Sequence, residues 1–295
     1  MKKKTIIMII TLASIFVLAC VLGLYREQLS SPASPVDRAE NADVTNQETS
    51  EPEATEDIPN KASHTPFTEF SKEFKAAIQS TIKFFSTQES HIVAIGDSLT
   101  QGVGDSTKQG GYVGILDSQL NADANLVTFD NYGKRGNRTD QLLKRIDEPE
   151  IVKSLKRADI VIMTIGANDI MQVLKENFTN ITYEAFSKER VNYEKRLHQI
   201  FAKLEELNPN ASVYLVGFYN PFQQYFEHIK ELDMIVDNWN HTSEQVAKEA
   251  GATFIPTKDI FISTEVNLFA DDHFHPNDIG YKLIAERILN YLVRE

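Results

Sequence analysis

The chain has 295 residues, 42% of them hydrophobic and 24% charged, which is enough apolar side chain to bury a core in one large domain or two. A formal net charge of -12 and a pI of about 5.1 exclude a broad basic face, and with it nucleic acid as a partner. A single cysteine, Cys20, excludes an intramolecular disulfide. No spacing suits metal ligation, so neither metal nor other cofactor is expected.

Lys2, Lys3 and Lys4 precede an uncharged apolar run from Thr5 to Tyr25. As a helix, a run of that length spans roughly 30 Å, the hydrocarbon thickness of a bilayer. Positive charge before the run keeps that end in the cytoplasm and places the rest of the chain outside. Residues 1–25 are therefore expected to be an uncleaved membrane anchor with an extracytoplasmic domain behind it. The alternatives are a cleaved signal peptide, giving a secreted protein, and a lipoprotein signal, since Val17-Leu18-Ala19-Cys20 loosely resembles a lipobox. Residues 26–65 carry Pro32, Pro35, Pro52 and Pro59, few large apolar side chains, and nine acidic against three basic residues. Such a stretch buries too little to offset the entropy of ordering it, so it reads as a disordered acidic linker.

Residues 66–295 alternate helix-like and strand-like runs. Apolar residues at 67, 70, 74, 77, 78, 82 and 85 follow a period near 3.6, which predicts a leading amphipathic helix from Phe67 to Phe85. Ile92 to Ile95 predicts a short buried strand, ended by the turn Gly96-Asp97-Ser98. Taken alone, that turn suits either an exposed nucleophile or a phosphate cradle. Tyr112 to Leu120 reads as helix, Leu126 to Phe129 as a second strand and Asn131 to Asp140 as a loop. Thr139 is placed to cap a helix running to about Ile146.

Asp159 to Ile165 is nearly all apolar, as a central parallel strand covered on both faces should be, and Gly166-Ala167-Asn168-Asp169 follows it. Tyr183 to Leu207 predicts a long helix, Ser212 to Phe218 a fourth strand, and Ile229 to Ala250 another helix. Thr253 to Ile255 predicts a fifth strand and Asn277 to Val293 the last helix. The alternation predicts an α/β fold in which a mostly parallel, about five-stranded sheet lies between two helical layers. The strands of such a sheet share direction, so their polar C-terminal loops converge on one rim. Those loops hold a serine, a carboxylate with an imidazole, and a side-chain amide, which are the parts that acyl transfer needs.

Four of these segments resemble the blocks of the SGNH hydrolase superfamily, the GDSL family of lipases and esterases. They are Gly96-Asp97-Ser98-Leu99, Gly136 following Asn131-Tyr132-Gly133, Gly166-x-Asn168-Asp169, and Asp272-x-x-His275-Pro276. The likeness covers about residues 91–292 and is nearest to secreted or membrane-tethered bacterial members. Thr100 replaces the last glycine of a Gly-x-Ser-x-Gly elbow, which counts against the ordinary α/β-hydrolase fold. The resemblance implies a flavodoxin-like three-layer α/β/α sandwich with Ser98 as nucleophile, His275 as base and Asp272 orienting it. It also implies an oxyanion hole from Ser98, Gly136 and Asn168, with Gly133 competing for the place of Gly136.

Asp97 and Asp169 are expected to support these groups rather than react. Tyr219, Phe222, Tyr225 and Phe226 are candidates for a substrate pocket. The expected activity is hydrolysis of small-molecule, lipid or acylated-carbohydrate esters. The alternatives are an envelope O-acyltransferase or carbohydrate deacetylase using the same groups, and a non-catalytic binding module. Of two nearby histidines, His275 is favoured over His273 because Pro276 holds it in extended backbone and Asn277 can cap the final helix.

Overall fold

β1 (Ser90–Gly96) forms where Ile, Val and Ala are densest, and every residue of it except His91 is buried. It is one of three inner strands of a computed structural model that describes residues 72–85, 90–222, 230–262 and 266–292. The expected anchor at 1–25, the linker at 26–65, the start of the leading helix at Phe67, and Tyr225 and Phe226 lie outside the described residues. Among the described residues no helix is long and apolar enough to cross a membrane.

With β2 (Val127–Gly133), β3 (Ile160–Thr164), β4 (Ser212–Val216) and β5 (Thr253–Ile255), β1 makes a five-stranded sheet in the order β2-β1-β3-β4-β5. Every pairing is parallel. β2 continues past the Leu126–Phe129 stretch through Asn131-Tyr132-Gly133, which the sequence suggested was loop. As an edge strand it has one neighbour and an exposed flank, so polar side chains cost little there and hide the strand pattern.

Alternation along the strands divides the core. Val93, Ile95, Val161, Met163 and Leu215 face α4 (Thr139–Arg145), α5 (Pro149–Leu155), α6 (Ala167–Glu176), α7 (Tyr183–Leu207) and α8 (Lys230–Glu249). Ile92, Ala94, Ile162, Tyr214 and Val216 face α1 (Lys72–Phe85), α3 (Gly111–Leu120) and α9 (Asp278–Leu292). The result is the expected three-layer sandwich. Burying each large aliphatic side chain in these layers contributes about 1.5–3 kcal/mol, offset by the entropy of ordering the chain.

α5 and α6 were not legible as helices. α5 is seven residues long, and α6 begins inside a segment whose Gly and Asn read as loop. Thr139 does not cap α4; Arg138 holds the cap position and Thr139 is the first helical residue, its side chain engaged elsewhere.

The register aligns the strand ends. Gly133 pairs with Gly96, Gly96 with Thr164, Thr164 with Val216, and Val216 with Ile255. The residues that follow each of these leave the sheet along one line, and the sequence motifs are among them. The chain direction of successive crossovers reverses between β1 and β3, where open α/β sheets leave a crevice.

Candidate active site

Ser98 stands at that crevice as the first residue of α2 (Ser98–Gln101). Asp97 caps α2 by accepting the Leu99 N–H on Oδ1 at 3.0 Å. The same oxygen accepts the Thr164 hydroxyl at 2.9 Å. Thr164 Oγ1 lies 2.7 Å from Thr100 Oγ1, which lies 2.9 Å from the Tyr112 hydroxyl. With Thr164 donating to the carboxylate, the chain of donors runs from Tyr112 through Thr100 and Thr164 to Asp97. Burial pushes the Asp97 carboxyl up to about 7, although the Leu99 amide and Thr164 hydroxyl act the other way.

The histidine arrives on a tight loop. The Ala270 N–H donates to the His275 carbonyl and the His273 N–H to the Ala270 carbonyl, each at 2.8 Å. Within the loop, Asp272 Oδ1 accepts the amides of Phe274 at 3.1 Å and His275 at 2.9 Å. Asp272 Oδ2 lies 2.5 Å from His275 Nδ1, and His275 Nε2 lies 2.9 Å from Ser98 Oγ. An ionised carboxylate only accepts, so Nδ1 carries the proton and Nε2 is left to accept from the serine hydroxyl. Burial raises the Asp272 carboxyl, but the His275 ring and the two amides outweigh it and hold it below the usual range.

Ser98 and His275 are each 6% exposed. His273 is exposed, and its φ of 49° lies in the left-handed region that suits a tight turn. Asn277 caps α9 as expected, its Oδ1 accepting the Ile279 and Gly280 amides, each at 3.0 Å.

Two further contacts hold the serine and histidine loops together. Tyr281 donates its hydroxyl to the Val103 carbonyl at 2.7 Å, and Asp278 accepts from Ser106. Gly104 fits against the histidine loop, since a Cβ there would meet the Pro276 carbonyl oxygen at 2.4 Å.

Gly133 and Gly136 have different environments. A Cβ on Gly133 would come within 2.1 Å of the Gln101 nitrogen, so this glycine allows α2 to lie directly on β2. Gly136 has φ 79° and nothing within 4 Å of where a Cβ would stand; it is exposed at the rim. Asn168 donates from Nδ2 to the Asn137 carbonyl at 3.1 Å, which ties its turn to the Gly136 loop and leaves its second N–H.

Asp169, 2% exposed, strengthens that tie. It accepts the Thr139 hydroxyl at 2.5 Å and Arg196 Nη2 at 3.1 Å. The roles of Thr139 and Arg196 carried no local signal, since both pair with a residue of another element.

A partly open pocket lies beside the serine. Ser98, His275, Asn168 and Asp97 line it together with Leu99, Thr164, Ile165, Val216, Phe218, Tyr219 and Phe274. Gly136 is not in its lining. Of the four candidate pocket residues, Tyr219 lines it. Phe222 does not; it is buried, with its ring edge-on to Phe274 at 6.4 Å. Among the described residues no group of three or more His, Cys, Asp or Glu forms a metal site.

Residues 94–283 match the model of the GDSL-like Lipase/Acylhydrolase family. The chain is 38% identical over 209 residues to the uncharacterized protein YpmR of Bacillus subtilis, covering 69% of this chain and 82% of that one. It is 30% identical over 203 residues to the spore germination lipase LipC of Bacillus licheniformis, covering 66% and 92%. The crystal structure of the lipase Lip_vut3 from a goat rumen metagenome superposes with a TM-score of 0.61 at 26% identity, covering 68% and 95%. A family match over most of the described residues, on a sheet of this order and direction, leaves one conclusion: the chain belongs to the GDSL-like lipase/acylhydrolase family and is an ester-hydrolysing enzyme.

Proposed function

We propose that the chain cleaves carboxylic esters by a serine-nucleophile mechanism in which Ser98, His275 and Asp272 act as one unit. The supporting observation is the hydrogen-bonded series from Asp272 through both nitrogens of the His275 ring to Ser98 Oγ. Ser98 Oγ attacks the ester carbonyl carbon as His275 Nε2 takes its proton. Asp272 keeps the ring in the Nδ1–H tautomer and stabilises the imidazolium that forms.

The oxyanion receives N–H donors from the Ser98 backbone, the Gly136 backbone and the Asn168 side chain. Collapse expels the alcohol, which takes the proton from His275. Water then repeats the sequence on the acyl-serine, releasing the acid and restoring Ser98.

The test is serine-directed phosphonate labelling together with ester hydrolysis by the full chain. Label at Ser98, and loss of about three or more orders of magnitude in rate on Ser98→Ala, support the mechanism. Wild-type turnover in a folded Ser98→Ala protein refutes it. Asn168→Ala should lower kcat about 10²–10³-fold with KM little changed.

Thr5 to Tyr25 is proposed as a retained anchor that holds the domain outside the membrane, on the strength of its length, its lack of charge and the lysines before it. Cys20→Ser should then still fractionate with membranes. Its release into the medium would favour lipidation at Cys20 instead.

A further inference from the structure

We propose that the cavity beside Ser98 is the acyl pocket and that it admits only short acyl groups, acetyl and propionyl. This rests on the ester-hydrolase reading above and adds the substrate class. The cavity offers about 30 Å³ of room. On that measure one water takes about 10–15 Å³, so two or three carbon-sized groups fill it. Ile165, Val216 and Phe218 make much of its wall apolar. The inner, largely apolar end of this space suits the acyl part, which stays bound until water releases it. The leaving alcohol needs an open way out.

The size is held from behind. Asn240 on α8 grips the Phe218 backbone from both sides, accepting its N–H at 3.1 Å and donating to its carbonyl at 2.7 Å. The Gly217 N–H donates to the Ile255 carbonyl at 2.8 Å, and the Gly217 carbonyl accepts the Thr257 hydroxyl at 2.6 Å. A Cβ at Gly217 would lie 2.6 Å from the Phe254 ring, so that backbone cannot retreat towards β5. Tyr219 is stacked on Phe261 at 3.9 Å and donates to the Phe274 carbonyl at 2.9 Å. Lengthening the cavity along this wall would break backbone hydrogen bonds at the sheet end, so a longer acyl chain meets close-packed side chains and is excluded.

The experiment measures kcat/KM of the full chain on p-nitrophenyl acetate, propionate, butyrate, hexanoate and octanoate, with the Ser98→Ala rate subtracted. Acetate and propionate should exceed octanoate by about a hundredfold or more, the scale on which a pocket discriminates methylene groups. Phe218→Ala, and the milder Ile165→Val should the first fail to fold, should raise the butyrate-to-acetate ratio about tenfold. Octanoate turned over as fast as acetate overturns the short-acyl pocket while leaving the serine mechanism standing. So does an unchanged ratio in a folded pocket variant. Absence of Ser98-dependent hydrolysis on every ester overturns the mechanism itself.

Discussion

Ser106 and Asp278, 172 residues apart, join the loop that follows Ser98 to the helix that follows His275. Asp278 Oδ1 accepts the Ser106 N–H at 2.8 Å and Oδ2 accepts its hydroxyl at 2.5 Å. Pro276 and Asn277 alone separate this carboxylate from His275. The pair therefore acts with the Tyr281–Val103 bond to hold the segment carrying the imidazole against the segment carrying Ser98. Asp278→Ala should lower kcat about ten- to a hundredfold, the scale of a misplacement near 1 Å, with KM little changed. Steady-state kinetics on a folded variant check this, and a change confined to KM would place Asp278 outside the positioning of the base.

The two histidines of the last motif should separate cleanly. His275→Ala should cost about as much as Ser98→Ala, and the double variant no more than either, because the proposed mechanism uses the two groups as one unit. His273 is exposed and makes the turn rather than the contact with Ser98. Its replacement by alanine should cost about tenfold or less, far below the loss on removing a triad member. Rates of the three variants on one ester decide it; an inactive His273→Ala beside an active His275→Ala would reverse the assignment.

Glycines 133 and 136 make opposite predictions. Gly133→Ala should destabilise strongly, since its Cβ would sit within 2.1 Å of backbone in α2. Gly136→Ala has open space and carries only the left-handed backbone cost of about 1–2 kcal/mol. Urea denaturation should therefore show a much larger loss at 133, while the folded Gly136→Ala protein should lose activity through a misplaced oxyanion donor. Equal stability losses would contradict the packing assigned to Gly133.

Asp97 should give stability a pH slope. Burial raises its folded carboxyl to about 7 from an ordinary value of 3.8, so the folded state holds a proton that the unfolded state has released. Its contribution is fully present below the unfolded value and declines as pH rises through the interval, lost once pH passes the folded value. The whole change is about 4 kcal/mol at most. Asp97→Asn removes the titration, so the fall in urea midpoint between pH 5 and 8 should be shallower than in the wild type. An identical slope in the two proteins would assign the effect to other groups.

Local composition determined much of this protein. The β-branched density of Ile92 to Ile95, the apolar run before Gly166 and the near-3.6 period of the leading helix were each legible, because strands and helices bury faces with fixed periods. Tyr183–Leu207 and Thr253–Ile255 form with the bounds their patterns indicate. Asn277 caps the last helix because capping needs only residues two and three places on. The order of Ser98, Gly136, Asn168 and His275 likewise carried the family.

Tertiary structure decided what depends on partners distant in sequence. The polar end of β2 became strand because β1 pairs with it, and α6 began at Ala167 on the rim its register created. Thr139, which could have capped α4, instead gives its hydroxyl to Asp169, 30 residues away. Only assembled packing separates a glycine crowded by α2 from one open at the rim, or sets the cavity size through Asn240 and Thr257 on other elements. Local propensity encodes how a segment turns. Register, close approach and cavity volume are properties of segments that meet only once the chain has folded.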